Sequence, residues 1–465
     1  MVKVKTLALS VSAALAWGAM GSAQAATTSQ QVADLKEQVA ELQQMVQTLS
    51  GQQQQQAVQL QQQAEMAAAK PAPVAPMASS SKPGWFTLPD GQTQVKLYGS
   101  VRVDGTYDTK ANPSPNINNN TNSVPLNSAN GTKDNLNVTA ATSRIGLDIV
   151  RPTQYGDLIG KIEADFMGSS GGTNSDGQFR VRHAYMSLNK WLVGQTTSPF
   201  VNADTMPETV DFNGAMGGGT KRTVQVRYTQ PVTANQKLLL ALEGGDVDGI
   251  NSSASTATVT AITTTGTTSS GGNRLPALTA RYDIATADKK GLLQVHGLLH
   301  ENRVSLSDSV DETKLGWGVG LGAKYSFTPN DTVFANYYHV KGDSKYMLYS
   351  NPAYATGVDG TDVIIAESEF DSGLIGYAHK WSPKWRSTVA AGGIWYKNSN
   401  DYADFAKTTS STSLNKSMYN IIANSFYSPV PGVDLGVEYT YGQRKTFLNE
   451  KGDYSRVNLM AKYNF

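Results

Sequence analysis

The chain ends on YSRVNLMAKYNF, residues 454–465. At alternate positions, Ser455, Val457, Leu459, Ala461, Tyr463 and Phe465 form one side; Tyr454, Arg456, Asn458, Met460, Lys462 and Asn464 form the other. Successive side chains of a strand point to opposite faces. The stretch therefore reads as a strand with one largely apolar face, finished by two aromatics, and one face carrying two cations and two amides.

The same alternation recurs through the chain. VKLYGSVRVDGTY sets Val95, Leu97, Val101 and Val103 against Lys96, Tyr98, Ser100, Arg102 and Asp104. SRIGLDIVRP sets Ile145, Leu147 and Ile149 against Arg144 and Asp148, and GKIEADFMG sets Ile162, Ala164 and Phe166 against Lys161, Glu163 and Asp165. LLQVHGLLH sets Leu293, Val295 and Leu299 against Gln294, His296 and His300. From one centred near Ser100 to one near Leu459, we count about sixteen such stretches, many near the ten residues that a tilted strand needs to cross a bilayer. Their connections fall into two classes that alternate along the chain. Short ones include NK, TPND and SPK; long ones fall near 108–139, 168–178, 198–221, 246–273, 303–312, 342–369, 398–415 and 444–452.

Lipid offers no hydrogen-bond partner, so a sheet that spans a membrane must close on itself. Strands that are apolar outside and polar inside, joined by short turns at one end and long loops at the other, predict a transmembrane barrel. The expected fold is all-β: an antiparallel barrel of about sixteen strands over 95–465, with both termini on the short-turn side. Trp191, Trp381, Trp385, Tyr463 and Phe465 fall near strand ends, where aromatic girdles sit. A soluble sandwich also alternates but does not explain the loop rhythm together with the aromatic terminus.

The N-terminus reads as a secretory signal over 1–25: basic MVKVK, an apolar run, then a small-residue cleavage site at Ala23–Ala25. After it, no apolar run reaches the roughly 20 residues of a membrane helix. Within 26–65, Val32, Leu35, Val39, Leu42, Val46 and Leu49 follow a heptad stripe. A helix this short needs partners, and Val at one core position with Leu at the other leans toward a dimer. Residues 66–94 form a Pro/Ala/Ser linker. The chain has 39 basic and 38 acidic residues, a near balance unlike the strong basic excess of a nucleic-acid binder, and no cysteine for disulfides or thiolate metal sites.

Sixteen strands leave an aqueous lumen, so the inward faces decide what passes. Arg102, Arg144, Arg180, Arg182, Arg227 and Arg281 fall on those faces. Against lipid such a residue would cost roughly 2–4 kcal/mol at the midplane; in water it can fork onto a carboxylate. Lys96, Lys161, Lys221 and Arg222 add to the field. The competing reading is that Asp104, Asp148, Glu163 and Asp165 neutralise these cations and merely stiffen the wall. Residues 198–221 are expected to fold inward as a constriction loop, bringing Asp204, Glu208 and Asp211 near the basic wall; the other reading is a mobile outer loop. No catalytic constellation stands out. His296 and His300 lie about 13 Å apart by strand rise, too far to share a metal, and no cofactor is indicated.

The signal, the Gln-rich heptad segment, the Pro/Ala linker, SRIGLDIVRP, FRVRHAYMSLNKWLVGQTTSPF and the terminal AKYNF together resemble the DcaP-like outer-membrane porins across nearly the whole chain. The resemblance implies a homotrimer of sixteen-stranded barrels in the bacterial outer membrane and a periplasmic helical stem. It also implies uptake of small anionic solutes, dicarboxylates above all. The trimer departs from the dimer-leaning heptads, but helices tethered beneath a trimer share a high effective concentration. A terminal aromatic also resembles the tag read by the barrel insertion machinery. A weakly selective general porin and an outer-membrane anchor or adhesin are the other readings; an outer-membrane enzyme would need a constellation that is not seen.

Overall fold

The computed structural model describes residues 40, 44, 78–79 and 83–465, apart from 111–116, 128–130, 132, 169–176, 245–248, 251–257, 260–261, 264–268, 271–273, 308–309 and 360–361. The chain divides into 1–76 and 77–465. In the first unit, Ala40 and Gln44 are described and are helical. The signal-peptide and heptad expectations, including Val32, Leu35, Val39, Leu42, Val46 and Leu49, lie outside the described residues.

The second unit is a closed antiparallel barrel of sixteen wall strands. These are β1 (Gln94–Lys110), β2 (Asn135–Thr139 continuing in Arg144–Thr153), β3 (Gly156–Asp165), β4 (Arg180–Leu188), β5 (Trp191–Thr197), β6 (Arg222–Thr233), β7 (Gln236–Glu243) and β8 (Ala277–Ala285). They continue as β9 (Gly291–Ser307), β10 (Val310–Ser326), β11 (Asp331–Lys341), β12 (Glu369–Lys380), β13 (Trp385–Tyr396), β14 (Asn415–Tyr427), β15 (Val433–Thr446) and β16 (Lys451–Asn464). Each pairs with its sequence neighbour, and β16 pairs antiparallel with β1 to close the wall. Two short pieces precede β1 in the sheet: Phe86–Thr87 pairs with Gln94 and Val95, and with Ala78–Ser79.

The alternation maps onto the wall as the sequence requires. Leu97, Val101, Val103, Ile145, Leu147, Ile162 and Leu459 are exposed on the outside, where lipid covers them, whereas Ser100, Asp104, Glu163, Asp165, Arg456 and Asn458 are buried on the inside. Tyr155, Trp191, Phe327, Trp381, Trp385, Tyr463 and Phe465 are exposed at the short-turn end and form one girdle.

Two expected loops are strand instead. Residues 303–307 and 310–313 continue the β9–β10 ladder, and β15 and β16 extend so that only residues 447–450 lie between them. Beyond the bilayer the outward face need not be apolar, so the period-two signal fades while the backbone pairing goes on. The remaining surprise is inside β2. Its two segments pair with different parts of β1, and the break leaves Ser143 beside Arg102. The Ser143 hydroxyl accepts from Arg102 N at 3.0 Å and donates to Arg102 O at 3.1 Å, standing in for the missing ladder bonds.

Residues 198–221 fold into the barrel and are braced along one side of its inner wall. Pro199 O accepts from His296 Nδ1 at 2.8 Å on β9, and Thr205 exchanges hydrogen bonds with Asn336 on β11. Glu208 takes a two-pronged contact from Arg386 on β13 at 2.7 and 2.8 Å, and Glu208 O accepts from Asn424 on β14. At the tip, the fully buried Glu438 of β15 accepts from Val210 N at 2.8 Å and Asp211 N at 3.2 Å. Phe200, Val201 and Met216 are fully buried in the core that the loop shares with Tyr338 and Tyr346. Glycine is required where the loop meets the wall: a Cβ on Gly392 of β13 would collide with Met216 O.

Two outcomes follow from this packing. Ile375, outward on β12 and 67% exposed, should tolerate leucine, whereas Ile375→Arg should destabilise the barrel by about 2–4 kcal/mol in lipid vesicles, read by urea unfolding. Glu438→Gln replaces an acceptor with a donor facing two backbone N–H groups; an unsatisfied buried polar group costs about 1–3 kcal/mol. The loop tip should then loosen, seen as larger and noisier single-channel conductance without loss of the folded barrel.

Candidate functional site: the charged constriction

The wall opposite the braced loop is built from β1 to β8, and its inward positions are rich in charge. All six arginines expected there do face inward. They differ sharply in what they touch.

Arg102 is held by Asp104, two residues along β1, with Nη2–Oδ1 at 2.6 Å and Nε–Oδ2 at 2.8 Å; its Nη2 also donates to Val210 O of the inner loop at 2.7 Å. Arg180 forks onto Asp165 at 2.9 and 2.7 Å. Arg182 bridges Glu163 and Asp165, both at 2.8 Å, and is itself buried. Lys161 reaches Asp148 at 2.6 Å and the Tyr98 hydroxyl at 2.9 Å, and that hydroxyl donates to Glu163 at 2.9 Å. Arg281 on β8 lies 2.9 Å from Asp283 and 3.5 Å from Asp204 of the loop. So Asp104, Asp148, Glu163 and Asp165 are all engaged in pairing, as the competing sequence reading holds.

Arg144 and Arg227 have no hydrogen-bond or ion-pair partner for their guanidiniums among the described residues, and the same is true of Arg222 and Lys221 where the inner loop rejoins β6. The Nε atoms of Arg222 and Arg227 are buried and have no partner among the described residues. Between Arg180, Arg182, Lys221 and Arg222 on one side and Tyr346 to Leu348 on the other lies a cavity of about 390 Å³. An unpaired guanidinium at a watery wall offers a fork that matches a carboxylate.

The β-bulge in β4 helps explain the density of groups here. Glu163 pairs with His183, but Ala164 pairs with Val181, so Arg182 is the extra residue. Arg180, Arg182 and His183 all project inward within one short stretch, and His183 Nδ1 lies 3.0 Å from the Thr196 hydroxyl. Simple alternation could not anticipate this.

The loop acids are distributed. Asp204 meets Arg281. Glu208 meets Arg386, which the arginine set read from alternation did not contain. Asp211 sits beside Glu438, accepting from Asn119 N at 3.3 Å and Asn213 N at 3.1 Å. Burial, then the charge of Glu438, push the Asp211 carboxyl up to about 7. Arg456 of the terminal stretch, placed on the lumen wall by its alternation, is fully buried against Asp108 of β1 at 2.6 and 3.1 Å and capped by Asn118 O at 2.7 Å.

Between Asp211 and Asn213, Phe212 carries its ring across to the basic wall. The guanidinium carbons of Arg144, Arg102, Arg182 and Arg180 lie 5.1, 5.3, 5.6 and 5.9 Å from its centroid. Nothing in the alternation of strands marks this residue, because it belongs to a loop. Its one signal is an aromatic set between an acid and an Asn-Gly pair in VDFNG.

Comparison with known proteins agrees with this architecture. A family model described as DcaP outer membrane protein matches residues 19–465. The crystal structure of the outer membrane channel DcaP of Acinetobacter baumannii is 35% identical, with a TM-score of 0.69, covering 80% of this chain and 98% of that one. An anion-selective porin from Comamonas acidovorans, at 11% identity and a TM-score of 0.50 over 80% of this chain and all of that one, shares the fold. No curated protein matches. With a wall of sixteen strands, an inward loop and a family match over nearly its full length, the chain belongs to the DcaP outer membrane protein family, the channels of the bacterial outer membrane.

Proposed function

We propose that the protein is a passive channel that prefers small anions, with dicarboxylates as its favoured solutes. The observation that carries this is the imbalance of the constriction wall. Its acids are taken up by Arg102, Arg180, Arg182 and Lys161, whereas Arg144, Arg222, Arg227 and Lys221 have no carboxylate among the described residues. The paired set holds the wall in shape. The unpaired set supplies the field and the open donors, and cations arrayed along a pore select anions. A solute with two carboxylates can engage Arg144 with one and the Lys221–Arg222 cavity with the other, which a solute with one carboxylate cannot. The working unit is a homotrimer whose helical stems, carrying the heptad positions Val32 to Leu49, reach into the periplasm. Phe465 serves as the insertion tag.

In planar bilayers under a potassium chloride gradient, Arg144→Ala and Arg222→Ala should each lower the anion-to-cation permeability ratio while the barrel stays as stable as wild type. Arg182→Ala should lower the ratio and also destabilise the fold by about 3–5 kcal/mol, because Glu163 and Asp165 lose a buried partner. A small dicarboxylate added to one side should block chloride current at lower concentration than the matching monocarboxylate. An unchanged reversal potential in the Arg144/Arg222 double variant would sink this reading.

A further inference from the structure

The four guanidiniums gathered on Phe212 are not held alike. Arg102, Arg180 and Arg182 are each pinned by a carboxylate at hydrogen-bond distance. Among the described residues Arg144 has no such carboxylate, and it is the one nearest the ring. The ring itself is well fixed. It packs against Ile117, Ala141 and Met167, all buried, which come from the connection after β1, the break inside β2 and the connection after β3. The backbone beside it is tied down by Glu438 through Asp211 N.

The two ways of holding a cation have different consequences. A carboxylate that fixes a guanidinium also neutralises it and takes up its donors. A ring face attracts the cation through its quadrupole but carries no charge and accepts none of the five N–H bonds in the usual sense. Four like charges this close repel one another, and without the ring Arg144 would be free to swing toward Glu163 and Asp165 on β3. We infer that Phe212 is a positioning residue of the selectivity site, whose ring face holds Arg144 toward the lumen with its charge and donors left open to a solute carboxylate. This rests on the anion-selective reading above and adds to it the group that keeps the filter's unpaired arginine in place.

The test compares three substitutions by reversal potential under a salt gradient, each checked for a folded barrel by heat-modifiable mobility. Phe212→Leu keeps an apolar side chain against Ile117, Ala141 and Met167 but has no ring; it should shift selectivity toward cations several-fold. Phe212→Tyr keeps the face and should stay close to wild type. In an Arg144→Ala background, Phe212→Leu should add little further, because the two act as one unit. The inference is overturned if Phe212→Leu matches wild type, if Tyr and Leu fail equally, or if the Leu effect persists in full without Arg144. The shift is read against wild type, so the two claims separate. A wild-type channel without anion preference overturns the proposed function even where Phe212→Leu moves the potential. An effect of Arg144→Ala with none of Phe212→Leu removes Phe212 and leaves the proposed function standing.

Discussion

In hydrocarbon, an unpaired backbone group has no water to turn to, and the place where this bears hardest is the seam between the last strand and the first. There Phe465 N donates to Gly99 O at 3.1 Å and Gly99 N to Phe465 O at 3.0 Å, so the final residue of the chain completes the ladder. Side chains lock the same seam from within. Arg456 and Asp108 are cross-strand partners, both fully buried, joined by two hydrogen bonds. Without this closure two edges would face lipid, and there would be no lumen for any other group to line.

Once the wall is closed, its two faces obey different rules. The outside answers only to lipid, a uniform demand that leaves a uniform mark of one apolar residue in every two. The inside answers to water and to whatever is folded into it, and that demand is local. This is why sixteen strands, their order and the girdle of Trp191, Trp381, Trp385 and Phe465 were legible from spacing alone, as was the inward direction of all six arginines. The acids that neutralise the wall were named as one reading, but which arginines they hold and which they leave unpaired was not legible. Arg182 and His183 share a bulge that breaks the period. Glu438 and Arg386 look like any other inward residues until the loop is seen resting on them. The ladders beyond the bilayer at 303–307 and 310–313 lost their alternation because nothing outside the membrane enforces it.

The inner loop turns a wide ring into an asymmetric passage. Most of its bracing contacts run along β9, β11, β13, β14 and β15, so the loop occupies that side and leaves solutes the side formed by β1 to β8. The placement is stabilised by ordinary means: buried apolar residues such as Phe200 and Met216, and hydrogen bonds to loop backbone that would otherwise be orphaned. Because the loop is held from behind, its tip can present Phe212 forward to the charged wall, which it also meets where Val210 O accepts from Arg102.

A wall this rich in arginine faces a conflict. Guanidiniums in a confined space repel, and the simplest remedy, a carboxylate beside each, would leave a stiff wall with no net field. The structure divides the task. Asp104, Glu163 and Asp165 hold three arginines and set the shape, while Arg144 forms no ion pair among the described residues and lies on a neutral ring. Paired charges bring geometric precision but little selectivity, and unpaired ones bring selectivity but need something other than charge to hold them still. An aromatic ring anchored in its own apolar cluster meets that need, and it does so from a loop that the opposite wall keeps in place. The position of one pore cation is thus coupled through Phe212, Asp211 and Glu438 to the far side of the barrel, so the anion selectivity we propose belongs to the cross-section of the pore as a whole and not to its basic wall alone.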